Sequence, residues 1–295
     1  MGEAVEIAAA EMRASRRRPR LAKPGALASG LILLGLIAIA VVFGPLLSPY
    51  AYDEQSLALL GEPRAPSLAH WLGTDELGRD VLTRLLYGGR ISLAVGLAGA
   101  VVATGIGTVF GALSGYFGGW VDQLLMRFTD VMLSVPALPL VLVVAGLIRP
   151  NPTLLILLIA ALIWTGAARL VRAHVRTIRG ADYIAAARTL GAGPIRIIVH
   201  HVLPNAVGAI AVSATIAVGG AVMLESALSF LGFGIQPPMP TWGNLLNQAA
   251  PWLVSAPWMS IPPGVMIFLT MIGVNILGEA LRTRQDGSHR QSVCA

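Results

Sequence analysis

Few side chains in this 295-residue sequence are equipped for chemistry, and their spacing rules out most reactions they would support. The sole lysine, Lys23, is followed by Pro24 and not by Ser or Thr. A P-loop needs a glycine-rich turn running into Gly-Lys-Ser/Thr, so this chain cannot cradle nucleotide phosphates in that way. The histidines are His70, His174, His200, His201 and His289, and all fall in loops between the apolar runs. An intramembrane Ser–His protease would need one at membrane depth. Adjacent His200 and His201 would point about 100° apart on a helix, a poor arrangement for a shared metal. The one cysteine, Cys294, excludes an internal disulfide, a cysteine-ligated zinc and a Cys–His dyad. Three carboxylates, Asp130, Glu225 and Glu279, lie at or near the ends of apolar runs, where water or lipid headgroups reach them. That position argues against a proton relay. For Glu225 a helix-end or inter-helix hydrogen bond is the better reading. No catalytic set and no metal-ligating set emerges.

The elements that carry these residues are built for lipid. Hydrophobic residues make up 55% of the chain and charged ones 12%, about half the ~25% usual in a soluble domain, and mean hydropathy is +0.73. The net charge of +6 sits in short clusters between apolar runs. A nucleic-acid surface would need a continuous basic face. A spanning helix needs about 20 mainly apolar residues, and six stretches qualify: Ala26–Leu47, the front of the uncharged stretch Ile91–Val121, Val131–Ile148, Thr153–Ala168, Ala206 to about Leu224, and a last one from after Pro262-Pro263 to about Leu277. The first is preceded by Arg16, Arg17, Arg18, Arg20 and Lys23, as in a signal peptide, but no cleavage motif follows, so it is read as a retained span.

Six spans put both termini on one side, with sixteen Lys and Arg residues there against five (Arg64, Arg79, Arg84, Arg90 and Arg149) on the other. The positive-inside rule then makes the termini cytoplasmic. The expected organisation is a basic N-terminus (1–25), a first span (26–47), an external segment (48–90), a core (91–281) with a cytoplasmic loop near 171–204 and an external loop near 231–260, and a tail (282–295). In the external segment Leu77, Val81, Leu82, Leu85 and Leu86 form an apolar stripe flanked by Asp80 and Arg84, expected as a helix lying on the membrane surface. Gly99, Ala103, Gly107, Gly111 and Gly115 recur every four residues in the second span. Such a row lets helices approach closely in lipid.

The cytoplasmic loop Arg179–Asn205 predicts two short helices. Asp182 is the expected N-cap of the first, whose apolar side is Ile184, Ala187 and Leu190. Gly191 ends it. Gly193-Pro194 starts the second, with Ile195, Ile198, Val199 and Val202 on one side, and Pro204 closes it. Such a knob can pass force to the spans; a plain interfacial hairpin is the competing reading.

This loop resembles the EAA motif of ABC-importer permeases. The matching positions are Ala186, Ala187, Gly191 and Pro204, and Ala185 stands where the motif usually has glutamate. The segments His70–Gly96 (HWLGTDELGRDVLTRLLYGGRISLAVG), Gly115–Asp122 (GYFGGWVD) and Glu225–Leu246 (ESALSFLGFGIQPPMPTWGNLL) are similar to permeases of the dipeptide/oligopeptide type, "C" kind. The likeness covers most of the chain after about residue 40. It implies an all-α type I importer permease fold and a multi-pass location in the inner membrane. It also implies a complex with a homologous second permease, two ATPase subunits and an external substrate-binding protein, ATP and magnesium being bound by the ATPases and no cofactor by this chain. Tyr183, Ala185, Ala186, Ala187, Gly191 and Pro204 would then contact an ATPase. Di- and oligopeptides lead as substrates, with nickel chelates or another small solute as the alternative. A stand-alone ion-coupled carrier is the rival from another class, and a membrane-embedded enzyme a more distant one. Substrate-contacting residues are not readable.

Overall fold

The computed structural model describes residues 25–148 and 151–294, with side chains through residue 284. The basic N-terminus through Pro24, Arg149, and the side chains of His289, Arg290 and Cys294 thus lie outside what is described. The elements are α1 (Gly25–Leu47), α2 (Val81–Phe117), α3 (Gly119–Ser134), α4 (Ala137–Leu147), α5 (Pro152–Ile178), α6 (Asp182–Thr189), α7 (Pro194–Ile197), a π turn (Ile198–Val202), α8 (Leu203–Phe230), α9 (Trp242–Ala249) and α10 (Ile261–Cys294). Among the described residues there is no strand, only an isolated bridge between Thr74 and Asp80.

Five helices are long and apolar enough to cross a membrane, and the count reaches six if α3 and α4 together form one span. Those two meet at 75°. Val135 is extended, as a residue before proline prefers to be. Pro136 supplies no N–H to continue α3. The stretch Val131–Ile148, expected as a single span, is therefore bent near its start, and its first four residues belong to α3.

α2 is one continuous helix of 37 residues. The surface helix expected around residues 77–86 does not exist as a separate element. Leu77 sits in a turn whose N–H donates to Asp75 at 2.9 Å. Asp80 then caps α2, accepting from the Thr83 N–H at 2.8 Å. Val81 and Leu85 are buried against Trp242 and the segment around Met259, not against lipid. An apolar stripe reads the same whether it meets lipid or a returning loop.

The small-residue row of α2 lies along α5. A β-carbon on Gly107 would come within 2.6 Å of Trp164 O, one on Gly111 within 2.6 Å of Ala168 O, and one on Gly115 within 2.9 Å of Arg172 O; on Gly99 it would be 3.2 Å from Ile159. Ala103 is fully buried with Ala160, Trp164 and Ala168. Gly111→Ala therefore forces backbone apart and is expected to cost about 1–3 kcal/mol. Gly105, on the open side of the same helix, should gain up to about 1 kcal/mol on becoming Ala. Thermal midpoints of the two purified variants, shifted in opposite directions, are the check.

Candidate functional site

α5 runs ten residues past Ala168, where its apolar run was expected to stop, and ends in a basic turn containing Arg176. His174 therefore lies within a helix and not in a loop. At this end of the bundle the chain folds back as a knob. Ile184 of α6 and Ile197, Ile198 and Val202 of the next helical segment are buried with Ala112 and Tyr116 of α2 and Val171, Val175 and Ile178 of α5. The Arg188 guanidinium stands 5.1 Å from the centre of the Tyr116 ring. One side of the knob is thus built into the bundle core.

The turn between its two helices is a Schellman arrangement. The Ala192 N–H donates to Ala187 O and the Gly191 N–H to Arg188 O, each at 3.0 Å. Gly191 is left-handed, with φ +81°, and this is where glycine's missing β-carbon is required. Tyr183, Ala185, Ala186, Gly191 and Pro204 are exposed and Ala187 is half-buried. Partial burial pushes the Tyr183 phenol further above its ordinary value, so it is an uncharged donor at neutral pH.

Four details of the expected knob are corrected. Asp182 is the first residue of α6, Ala181 stands at the cap, and no side chain caps it. Leu190 is 88% exposed and Ile195 76%, and Val199 is exposed too, so the second helix buries Ile197 with Ile198 and Val202. Pro204 closes nothing. The π turn ahead of it, where the Leu203 N–H reaches back to Ile198 O, absorbs the proline, and the helical course runs unbroken from Pro194 to Phe230. His200 and His201 lie in that π turn.

The end opposite the knob is closed by the segment between α1 and α2 and by α9. Asp75 accepts from Arg79 Nε at 2.7 Å, from a short contact with Arg84 Nη1, and from the Leu77 and Arg79 N–H groups at 2.9 Å each. Arg84 is fully buried. Arg79 reaches Gln248 at 3.3 Å. Below this, Glu225 is fully buried and accepts from Ser229 Oγ at 2.8 Å. The Trp242 N–H donates to Ser92 Oγ at 3.1 Å and its ring N–H to Leu85 O at 3.0 Å, which seals the loop over that carboxylate. The expectation that water or headgroups reach Glu225 is therefore overturned, while the hydrogen-bonding reading of this residue fits its serine contact. Asp130 and Glu279 are exposed.

Residues 107–288 match the family described as binding-protein-dependent transport system inner membrane component. The chain belongs to that family. Residues 21–66 match the N-terminal TM domain of oligopeptide transport permease C. The dipeptide transport system permease protein DppC of Bacillus subtilis (strain 168) is 41% identical over 267 residues, covering 90% of this chain and 82% of the relative. The oligopeptide transport system permease protein OppC of Haemophilus influenzae is 38% identical (86% and 82%). The glutathione transport system permease protein GsiD of Pectobacterium atrosepticum is 40% identical (85% and 83%). This permease is thus a multi-pass inner-membrane transport component, and its knob falls inside the matched core.

Proposed function

We propose that this chain is one permease subunit of an ATP-driven peptide importer, and that its knob is where a separate ATPase delivers work. What carries the reading is the two-sided character of the knob. Its inner side is locked into α2, α5 and α8, while Tyr183, Leu190 and Ile195 stand out as an apolar tip. Exposed apolar clusters of this kind mark protein contacts, and a rigidly seated one moves only with the bundle. The basic residues concentrate at this end (Arg169, Arg172, Arg176, Arg179, Arg188 and Arg196), which supports a cytoplasmic position for the knob, and with it for both termini, by the positive-inside rule. Peptides are the substrate class because the relatives at 38–41% identity carry dipeptide, oligopeptide and glutathione transport in their names.

On this reading a homologous second permease completes the path, a binding protein delivers the peptide outside, and two ATPases bind ATP and magnesium inside. ATPase closure presses on the knob, α5 and α8 tilt together because Ile184 and Ile197 are packed between them and α2, and the path opens outward. ATP hydrolysis reverses the tilt. The test is reconstitution. The complex with both ATPases, the second permease and the binding protein should accumulate a radiolabelled tripeptide only with ATP. The chain alone, under a proton gradient, should accumulate none. Uptake by the chain alone would overturn the proposal and make it a carrier.

A further inference from the structure

Between α3 and α5, at the knob end, lies a groove of about 620 Å³ lined by Trp120, Asp122, Gln123, Arg127, Asp130 and Arg172. Asp122 accepts from Arg172 Nε at 2.5 Å and Nη2 at 2.6 Å, and from Ser114 in a short contact. Asp130 accepts from Arg169 Nη2 at 2.6 Å, with both side chains about half exposed (52% and 53%). Arg127 is exposed and has no ion-pair or hydrogen-bond partner among the described residues.

Charge of this density does not face hydrocarbon: ionisable groups in spanning proteins turn toward a bundle interior or a water-filled cavity. The groove is also divided in sign. Asp130 holds its guanidinium partner through one oxygen only, leaving the other to accept, and Arg127 offers an unshared fork of donors. Asp122, by contrast, is fully engaged by Arg172. Its volume falls in the range of about 300–1,000 Å³ usual for small-molecule sites, enough for a few residues of peptide.

We propose, resting on the importer reading above, that this groove is a solute-contacting section of the transport path that takes molecules with a free ammonium group and a free carboxylate. Asp130 accepts from the ammonium group, releasing part of its hold on Arg169, and Arg127 donates to the carboxylate. Asp122–Arg172 serves as the fixed wall that keeps α3 against α5. No bond is made or broken; the step is an exchange of ion pairs.

The test uses the full complex in detergent, where the groove is reached without the binding protein. With Cys294→Ser as background, Gln123→Cys and, as a second position, Trp120→Cys, both lining the groove without a part in the ion-pair exchange, are labelled with a charged methanethiosulfonate reagent. Both should react. Ala-Ala-Ala at about ten times its Kd should slow the reaction about tenfold by mass action, and its N-acetylated amide at the same concentration should leave it unchanged. Lack of reaction at both positions would place the groove against lipid or a partner subunit and overturn the proposal. Equal protection by both peptides, or by neither, would do the same. ATP-driven uptake of Ala-Ala-Ala by the unmodified complex separates the two ideas: normal uptake without protection removes this site alone, and absent uptake removes the importer reading.

Discussion

Asp75→Ala is expected to lower stability by about 3–5 kcal/mol, the cost of leaving a buried charge without its partner. The substitution strands the Arg84 guanidinium and leaves Arg79 only Gln248 at 3.3 Å and Glu76 at 3.9 Å. Arg79 is 4% exposed and Arg84 0%, and Asp75 accepts hydrogen bonds from both. Arg84 Nε and Nη2 have no other partner, so its charge is balanced almost entirely by this one contact. The two backbone N–H groups that Asp75 also holds would be released with it, loosening the turn that leads into the cap of α2. Asp130→Asn is the comparison. It breaks an equally short pair, but one half exposed on each side, where ion pairs contribute about 0–1 kcal/mol. Thermal inactivation of the two purified variants should therefore differ widely, and equal midpoints would refute the assignment of Asp75 as the keystone of the cap opposite the knob.

Gly191→Val is expected to reduce ATP-driven peptide uptake at least about tenfold while ATP hydrolysis continues. The reason is backbone and not bulk. A β-carbon at Gly191 would meet nothing within 4 Å, so the side chain has room, but φ of +81° costs an ordinary L-residue roughly 1–2 kcal/mol and a β-branched one more. The turn can relieve this only by giving up the two hydrogen bonds from Gly191 and Ala192 that fix the angle between α6 and α7. Gly191→Asn, which tolerates the left-handed region, should retain most of the uptake. Normal transport by the valine variant at normal abundance would show that the turn does not transmit work.

The parts of the fold readable in advance are those written in local spacing. The four-residue row from Gly99 to Gly115 announces a close helix contact, and Gly191 followed by Gly193-Pro194 announces a turn between two helices. Pro136 and Pro139 mark a disturbance in the third apolar run, but a proline says nothing about whether a helix kinks gently or turns by 75°. The pairs that close the end opposite the knob are not local: Arg79 meets Gln248 across 169 positions, and Glu225 is shut from water by Trp242 and Thr241. Periodicity cannot see such returns, which is why the residues around Leu85 look like a membrane-surface helix and Glu225 looks accessible. In the knob, counting apolar residues marks Ile195 and Val199 for burial because they share a spacing with Ile198 and Val202. The π turn shifts the register by one residue and buries Ile197 instead.

The unbroken helical course from Pro194 to Phe230 has a mechanical corollary. Its 37 residues make a shaft about 55 Å long at ~1.5 Å per residue, with the knob at one tip and the sealed Glu225 near the other. Pivoting such a shaft about its knob tip through about 10° would sweep the far tip by roughly 10 Å at that length, so a small rotation at Ile197 and Val202 arrives beside Trp242 enlarged by the length of the shaft.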